Sequence, residues 1–473
     1  MNTIKKSLLS LAVASVVATP LLASAEGFGT ISANIGFTSD YYFRGISQTG
    51  NDGALQGGFD WSHDSGVYAG VWSSNVDFGD VHLETDTYLG FANEIGDTGI
   101  GYDVNVLRYN YNDSPKYETT EWTAGLSYSY FSASYSYSSD WYNTDESSSY
   151  VKLGFDYDAL PYGLALSASV GNSFGDAFDK DKVGSADDFD YVDYKVGVSK
   201  DFYGLSWELA YVGNDMGRKE CESYAYDYDA GNCDDRFILT VSKSMDDVTK
   251  STEGSELPIA ANIAYVTDYY FRGISQTGND GALQGGFDYS HDSGVYVGVW
   301  ASNVDFGDVH LEVDTYLGFA NEIGDTGIGY DVNVLRYNYN DSPDYETTEW
   351  TAGLSYSYFS ASYSYSDDWY DSGESSNYVK LGFDYDELPY GLAMSASVGN
   401  SFGDAFDKDK VGSTTDFDYV DYKVGISKDI VGVNFDLSYV GNDLSKKECN
   451  AYGYDDDKGN CDDRVILTVS KSF

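Results

Sequence analysis

The chain has 473 residues and a formal net charge of −50, with 46 Tyr and 51 Gly against only 6 Pro. A surface this negative repels phosphate backbones, whose binding needs clustered Lys and Arg to displace counterions, so nucleic-acid partners are excluded. Past the N-terminal segment no apolar run reaches the ~18 residues that a membrane helix needs, so any membrane span must be made of strands.

The chain opens on a pattern that predicts a secretory signal. Lys5 and Lys6 give a positive start, residues 8–22 an apolar stretch, and Ala23-Ser24-Ala25 a small-residue cleavage site. Removal of 1–25 would leave a mature chain beginning at Glu26. The remainder is duplicated: residues 34–245 align without a gap onto 262–473, a constant offset of 262 − 34 = 228. Each copy carries a whole set of strands, so the repeat is of a complete domain and not of a solenoid unit. The expected organisation is a first β-barrel unit at 26–245, a charged, Ser- and Thr-containing linker at 246–257 and a second unit at 258–473.

Within each copy the ruling pattern is strict alternation, the period of a strand with two unlike faces. Val151, Leu153, Phe155 and Tyr157 alternate with Lys152, Gly154 and Asp156; Trp122, Ala124, Leu126 and Tyr128 alternate with Thr123, Gly125 and Ser127. Twelve such segments are predicted in the first copy, beginning near Thr30, Ala54, Val67, His82, Ile100, Thr120, Ala133, Tyr150, Leu164, Tyr191, Leu205 and Arg236. Connections after odd-numbered segments are long (39–53, 111–118, 140–148, 172–188, 214–235) and those after even-numbered ones tight, with 76–81 the exception. Long loops on one rim and short turns on the other, with ten-residue alternating strands, are the habit of transmembrane β-barrels.

The copies also test the faces against each other. Presumed outward positions exchange Ala69 for Val297, Leu166 for Met394 and Trp207 for Phe435, while inward ones exchange Ser206 for Asn434 and Glu208 for Asp436. A soluble sandwich would also alternate, but its apolar face would be rich in Leu, Ile and Val. Here Trp122, Tyr130, Trp141 and Tyr142 stand near strand ends, where amphipathic rings are expected to meet the headgroup boundary. The fold class expected is all-β: an antiparallel transmembrane β-barrel in two tandem units of about twelve strands each, or one barrel of 24 strands if the last strand of copy one pairs with the first of copy two. Local closure favours two.

The stretch Ser39-Asp40-Tyr41-Tyr42-Phe43-Arg44-Gly45-Ile46-Ser47-Gln48, with Ala54-Leu55-Gln56-Gly57-Gly58-Phe59-Asp60 and their repeats at 267–276 and 282–288, resembles the TorF family of porins. The resemblance runs over essentially the whole mature chain, twice. It implies a Gram-negative outer-membrane barrel with pore activity. The final segment, residues 464–473 ending on Phe473, is similar to outer-membrane C-terminal strands, and in that resemblance the terminal Phe would be read by the outer-membrane assembly machinery. Lys471 departs from the usual apolar choice, and copy one has Met245 in place of Phe473.

Inward charges are where function would show. The expected pore lining is Asp60, Glu84, Asp86, Asp103, Lys152, Asp156, Asp193, Lys195 and Glu208, and in copy two Asp288, Glu312, Asp314, Asp331, Lys380, Asp384, Asp421, Lys423 and Asp436. An acidic lumen favours cations, unless these residues pair and fill the interior. Arg44 and Arg272, among aromatics in the first long loop of each copy, either face lumen carboxylates as a constriction or stack on Tyr and Phe at the surface. Cys221, Cys233, Cys449 and Cys461 in an exported chain predict two local disulfides. The carboxylate-rich loops 227–235 and 455–463 superficially resemble a calcium loop but lack its closing Glu.

No catalytic group, cofactor or metal is predicted: each copy has two histidines, His63 and His82 or His291 and His310, and His63-Asp64-Ser65 is contiguous, whereas a triad is assembled in space. The function expected is a porin-like channel for passive diffusion of small solutes, cation-preferring. Its partners would be outer-membrane lipid, small hydrophilic solutes or cations, and the assembly machinery. The alternatives are a plugged barrel with an adhesion or envelope-structural role and, further off, a barrel hydrolase.

Overall fold

The structure, a computed structural model, describes residues 29–473 except 80, 113, 180–189, 224–230, 246–258, 308, 341, 343–344, 408–416 and 452–458. The signal segment 1–25 and the linker 246–257 therefore lie outside the described residues. The chain divides into two compact units, at 1–257 and 258–473.

In the first unit twelve strands close on themselves: β1 (Thr30–Thr38), β2 (Ala54–Ser62), β3 (Val67–Phe78), β4 (Val81–Glu94), β5 (Ile100–Tyr111), β6 (Thr119–Tyr128), β7 (Phe131–Ser138), β8 (Ser148–Tyr157), β9 (Leu164–Phe174), β10 (Tyr191–Phe202), β11 (Leu205–Asn214) and β12 (Arg236–Ser244). Each pairs antiparallel with its sequence neighbours, and β1 pairs with both β2 and β12, with Asn34 opposite Gly58 on one side and Ser244 on the other. The second unit repeats this with β13 (Ile259–Val266), β14 (Ala282–Ser290), β15 (Val295–Phe306), β16 (Val309–Glu322), β17 (Ile328–Tyr339), β18 (Thr347–Tyr356), β19 (Phe359–Ser366), β20 (Ser376–Leu388), β21 (Leu392–Phe402), β22 (Tyr419–Ile430), β23 (Val433–Asn442) and β24 (Arg464–Ser472). There β13 closes on β24, with Asn262 opposite Ser472. Two closed antiparallel twelve-stranded barrels, not one barrel of 24 strands, are formed. Full closure leaves no unpaired edge, the condition for strands in a membrane.

Strand starts fall within two residues of those expected. The short 76–81 connection is a tight hairpin: β3 and β4 run on past a register shift between Asn75 and Phe78, so that Phe78 pairs Val81. The outer face carries Trp122, Leu126, Leu153, Val196 and Leu209, all exposed, as the lipid face of a barrel must.

The expectation for the strand-end aromatics needs correction in part. Trp122 and Tyr130 do face outward, but Trp141 is 3% exposed and packs inside the barrel. Its turn, Trp141–Asn143, has Tyr142 at φ 50° and tucks into the barrel mouth, where Phe43 and Tyr109 cover the rings. Apolar contact there removes more ring surface from water than a headgroup boundary would.

Candidate functional site

The first long loop of each barrel, residues 39–53, folds into the barrel. Its knot is Asp40, whose Oδ1 accepts from Ser47 Oγ at 2.7 Å, while the Tyr41 N–H donates to Thr49 Oγ1 at 3.1 Å. Tyr42–Phe43 and Ile46–Ser47 pair as a minimal hairpin around Arg44 and Gly45, which sit at φ 47° and 78°. A left-handed Arg costs about 1–2 kcal/mol, so contacts must hold it there. Gly45 is required by close approach as well: a Cβ would stand 2.7 Å from Gly213 O and 2.9 Å from Asp193 Cβ. Its carbonyl accepts from Asn214 Nδ2 at 2.6 Å, so the loop tip lies flat on the β10–β11 wall.

From that tip Arg44 reaches β6, on the far side of the barrel from the loop's root between β1 and β2. Its Nη2 is 2.6 Å from Glu121 Oε2, with both side chains nearly buried. The guanidinium lies 4.0 Å from the Tyr150 ring centroid, 4.9 Å from Phe43 and 5.0 Å from Trp141. Arg272 repeats the arrangement with Glu349, Tyr378, Phe271 and Trp369. The two sequence-level options for this arginine thus coexist: it faces a carboxylate and it stacks on aromatics, inside the barrel and not at its surface.

Two aromatic clusters pack around the loop. Tyr41 and Phe43 join Trp72, Leu107, Tyr109 and Tyr111, while Ile46 joins Trp141, Phe178 and Tyr191. The disulfides Cys221–Cys233 and Cys449–Cys461 are formed. The first of them buttresses the loop through Asn232, whose carbonyl accepts from the Ser47 N–H at 2.8 Å. Asp40 Oδ2 stands 3.3 Å from Arg236 Nη1. Burial outweighs this cation and the Ser47 hydrogen bond, and pushes the Asp40 carboxyl up to about 6; Asp268, beside Arg464, is pushed up to about 6 in the same way. The long-loop half of each lumen is a packed core.

The remaining inner wall is recognised by contacts that skip a strand, which only the concave side of a curved sheet allows. Tyr68 on β3 donates to Asp103 on β5 at 2.6 Å, Tyr88 on β4 to Asp60 on β2, Tyr150 on β8 to Asp193 on β10 at 3.1 Å, and Ser167 on β9 to Glu208 on β11 at 3.1 Å. A glycine on the intervening strand makes room. At Gly171 a Cβ would stand 2.1 Å from Tyr150 Oη and 2.5 Å from Asp193 Oδ2. Lys195 Nζ lies 2.7 Å from Glu208. Lys152 and Asp156, on β8, are exposed. Glu84 and Asp86 are buried on β4.

Copy two keeps the plan. Tyr296 donates to Asp331 at 2.7 Å, Tyr316 to Asp288, and Tyr378 to Asp421 at 3.1 Å. Lys423 Nζ is 3.5 Å from Asp436, Lys380 and Asp384 are exposed, and Glu312 and Asp314 are buried. Sequence reasoning missed Glu121 and Glu349, the arginine partners, although alternation opposite the outward Trp122 places Glu121 inward. It also missed the inward tyrosines, whose hydroxyls satisfy carboxylates without cancelling their charge.

Among the described residues no three His, Cys, Asp or Glu side chains converge as a metal site. Residues 227–230 and 455–458 of the calcium-like loops lie outside the described residues. His63 Nδ1 lies 2.8 Å from Ser65 Oγ, a contact local to its tight turn.

A closed antiparallel barrel with an apolar outside, a carboxylate-rich inside and its own first loop packed against its inner wall defines a transmembrane β-barrel protein. The chain belongs to the family described as "Bacterial protein of unknown function (Gcw_chp)", whose model matches residues 22–245 and again 250–473. No curated protein matches it. Among solved structures it is similar to the P pilus usher (PapC) translocation pore, at 10% identity over 93% of this chain and 99% of that one with a TM-score of 0.33. It is similar also to OprD of Pseudomonas aeruginosa, at 11% identity over 95% and 96% with a TM-score of 0.28, and to OccD3 (OpdP) of the same organism, at 12% over 95% and 91% with a TM-score of 0.26. Likeness at such scores carries no argument, and the architecture rests on this chain's own strand pairing.

Proposed function

We propose that each barrel is a narrow outer-membrane channel for passive diffusion of small hydrophilic solutes, preferring cations, whose resting lumen is closed by its own first loop. The observation that supports this best is the way the loop is held. It is seated on the lumen wall by two arginine–carboxylate pairs, Arg44 with Glu121 and Arg236 with Asp40, and by hydrogen bonds and ring contacts, all non-covalent, over a wall that carries Asp60, Asp103, Asp193 and Glu208 alongside Lys152 and Lys195. Negative potential in a low-dielectric passage raises the local cation concentration. The resemblance to TorF porins, the signal segment 1–25, units at 26–245 and 258–473, and delivery to the assembly machinery by Phe473 complete this reading. It is a transport reading and assigns no catalysis.

A second reading is supported by the depth of the aromatic clusters: a permanently plugged barrel acting through its loops in adhesion or envelope structure. Single-channel conductance of the refolded mature chain in planar bilayers, under a potassium chloride gradient, separates the two. Steps with a cation-selective reversal potential, larger in an Arg44→Ala, Arg272→Ala variant, uphold the channel. A folded, heat-modifiable protein and variant that never conduct refute it and leave the plugged barrel.

A further inference from the structure

Most lumen carboxylates have a tyrosine, serine or lysine donor, but one pair on β4 is left short. Glu84 and Asp86 stand two residues apart on its inner face, 2% and 0% exposed. Glu84 accepts from Tyr111 Oη at 3.3 Å, whereas neither oxygen of Asp86 has a donor. Among the described residues the neighbouring strands and the loop bring no Lys or Arg to the pair other than Arg44, which is engaged with Glu121. Across from the pair β3 offers Ser74 and Trp72, and β5 offers Tyr111 and Tyr109. The loop contributes Tyr41 and Arg44, the latter engaged with Glu121, and β6 contributes Glu121, a further negative charge. On β4 itself His82 precedes the pair at the strand's start, and Tyr88 follows it, bonded to Asp60. Copy two builds the same pair from Glu312 and Asp314, 2% and 6% exposed, with Tyr269 Oη donating to Glu312 at 3.1 Å.

Two adjacent carboxylates out of water cannot both stay charged without a compensating positive group. A metal ion would want more carboxylate ligands than converge here. We propose that Glu84 and Asp86, like Glu312 and Asp314, hold one proton between them, and that this shared proton latches the first loop over them. Tyr41 supplies the mechanical link: it packs with Trp72, Tyr109 and Tyr111, the residues opposite the pair, and its ring meets Trp72 edge-on at 5.5 Å. When the carboxyl O–H breaks and the proton leaves to bulk water, two like charges face each other beneath Tyr41, and the loop is driven off. The latch deepens the gated-channel reading and rests on it; the shared proton does not.

The test is infrared spectroscopy of the refolded full chain in micelles at pH 8, where Asp40 and Asp268 are ionised. The wild type shows a protonated-carboxyl carbonyl band that is lost in a folded Glu84→Gln, Glu312→Gln variant. Absence of the band in the wild type, or an undiminished band in the variant, overturns the proposal. On the wild type alone, alkaline titration must abolish the band in the same step that speeds amide exchange of Ser47 and Ser275; a band that titrates while the loop stays protected overturns the latch. Failure to conduct with the band present would sink the channel reading and leave the shared proton standing.

Discussion

Replacing Arg44 and Arg272 by alanine isolates the contact that fastens each loop to the far wall. Arg44 and Glu121 are both nearly buried and 2.6 Å apart. Deleting the cation strands a carboxylate in a dry interior, which costs about 3–5 kcal/mol, and removes the stacking on Tyr150, Phe43 and Trp141, worth about 1–2 kcal/mol. The loss falls on the loop-in state, since the barrel's strand ladder does not involve this side chain. A penalty of about 4 kcal/mol corresponds to roughly a thousandfold rise in the loop-open population. The assay is hydrogen exchange on the Ser47 amide, held by Asn232 O at 2.8 Å, and the Gln48 amide, held by Tyr41 O at 2.7 Å. Their protection is expected to fall about a hundred- to a thousandfold while amides of β8 to β10 keep theirs. Removing both charges at once, as Arg44→Met with Glu121→Leu, should cost far less than Arg44→Ala alone. Unchanged protection in the single variant, or equal losses in both, would refute the claim that a buried ion pair seats the loop.

Three further outcomes follow from the same structure. The folded Asp40 carboxyl titrates near 6 against 3.8 for the free side chain, so the loop-in state binds more protons between those values. Loop stability should be highest below pH 3.8 and fall as pH rises through 6, by an amount on the order of 3 kcal/mol, and Asp40→Asn with Asp268→Asn should flatten the profile of Ser47 exchange against pH. Gly171→Ala places a Cβ 2.1 Å from Tyr150 Oη and should lower the thermal midpoint through about 1–3 kcal/mol of overpacking; Gly163→Ala, open in space but at φ 71°, should cost about 1 kcal/mol from backbone strain alone. Converting Cys221, Cys233, Cys449 and Cys461 to serine frees the loops that carry Asn232 and Asn460, and should destabilise the loop-in state by about 2–4 kcal/mol, read as faster exchange at Ser47 and Ser275.

What the sequence determined by itself was the local alternation and everything that follows from a period of two. Val151 against Lys152 or Trp122 against Thr123 assigns each strand its faces, and the lengths of the connections assign its ends. The inward placement of Asp60, Asp103, Asp193 and Glu208 was legible for that reason. Three other features were decided only in the tertiary structure, because each depends on residues far apart in the chain. β12 could meet β1 or its near-copy β13 through the same edge, and only formation of the whole curved sheet brings Ser244 opposite Asn34 and closes two barrels. Residues 39–53 set Arg44 among aromatics, a composition that fits either a surface or an inward course, and the inward course depends on Glu121, Tyr150 and Asn214, which are 77, 106 and 169 residues distant from Arg44 or Gly45 in sequence (121 − 44, 150 − 44, 214 − 45). Trp141 read as a boundary aromatic, and folding put it inside, because Phe43 and Tyr109 arrive there from other parts of the chain.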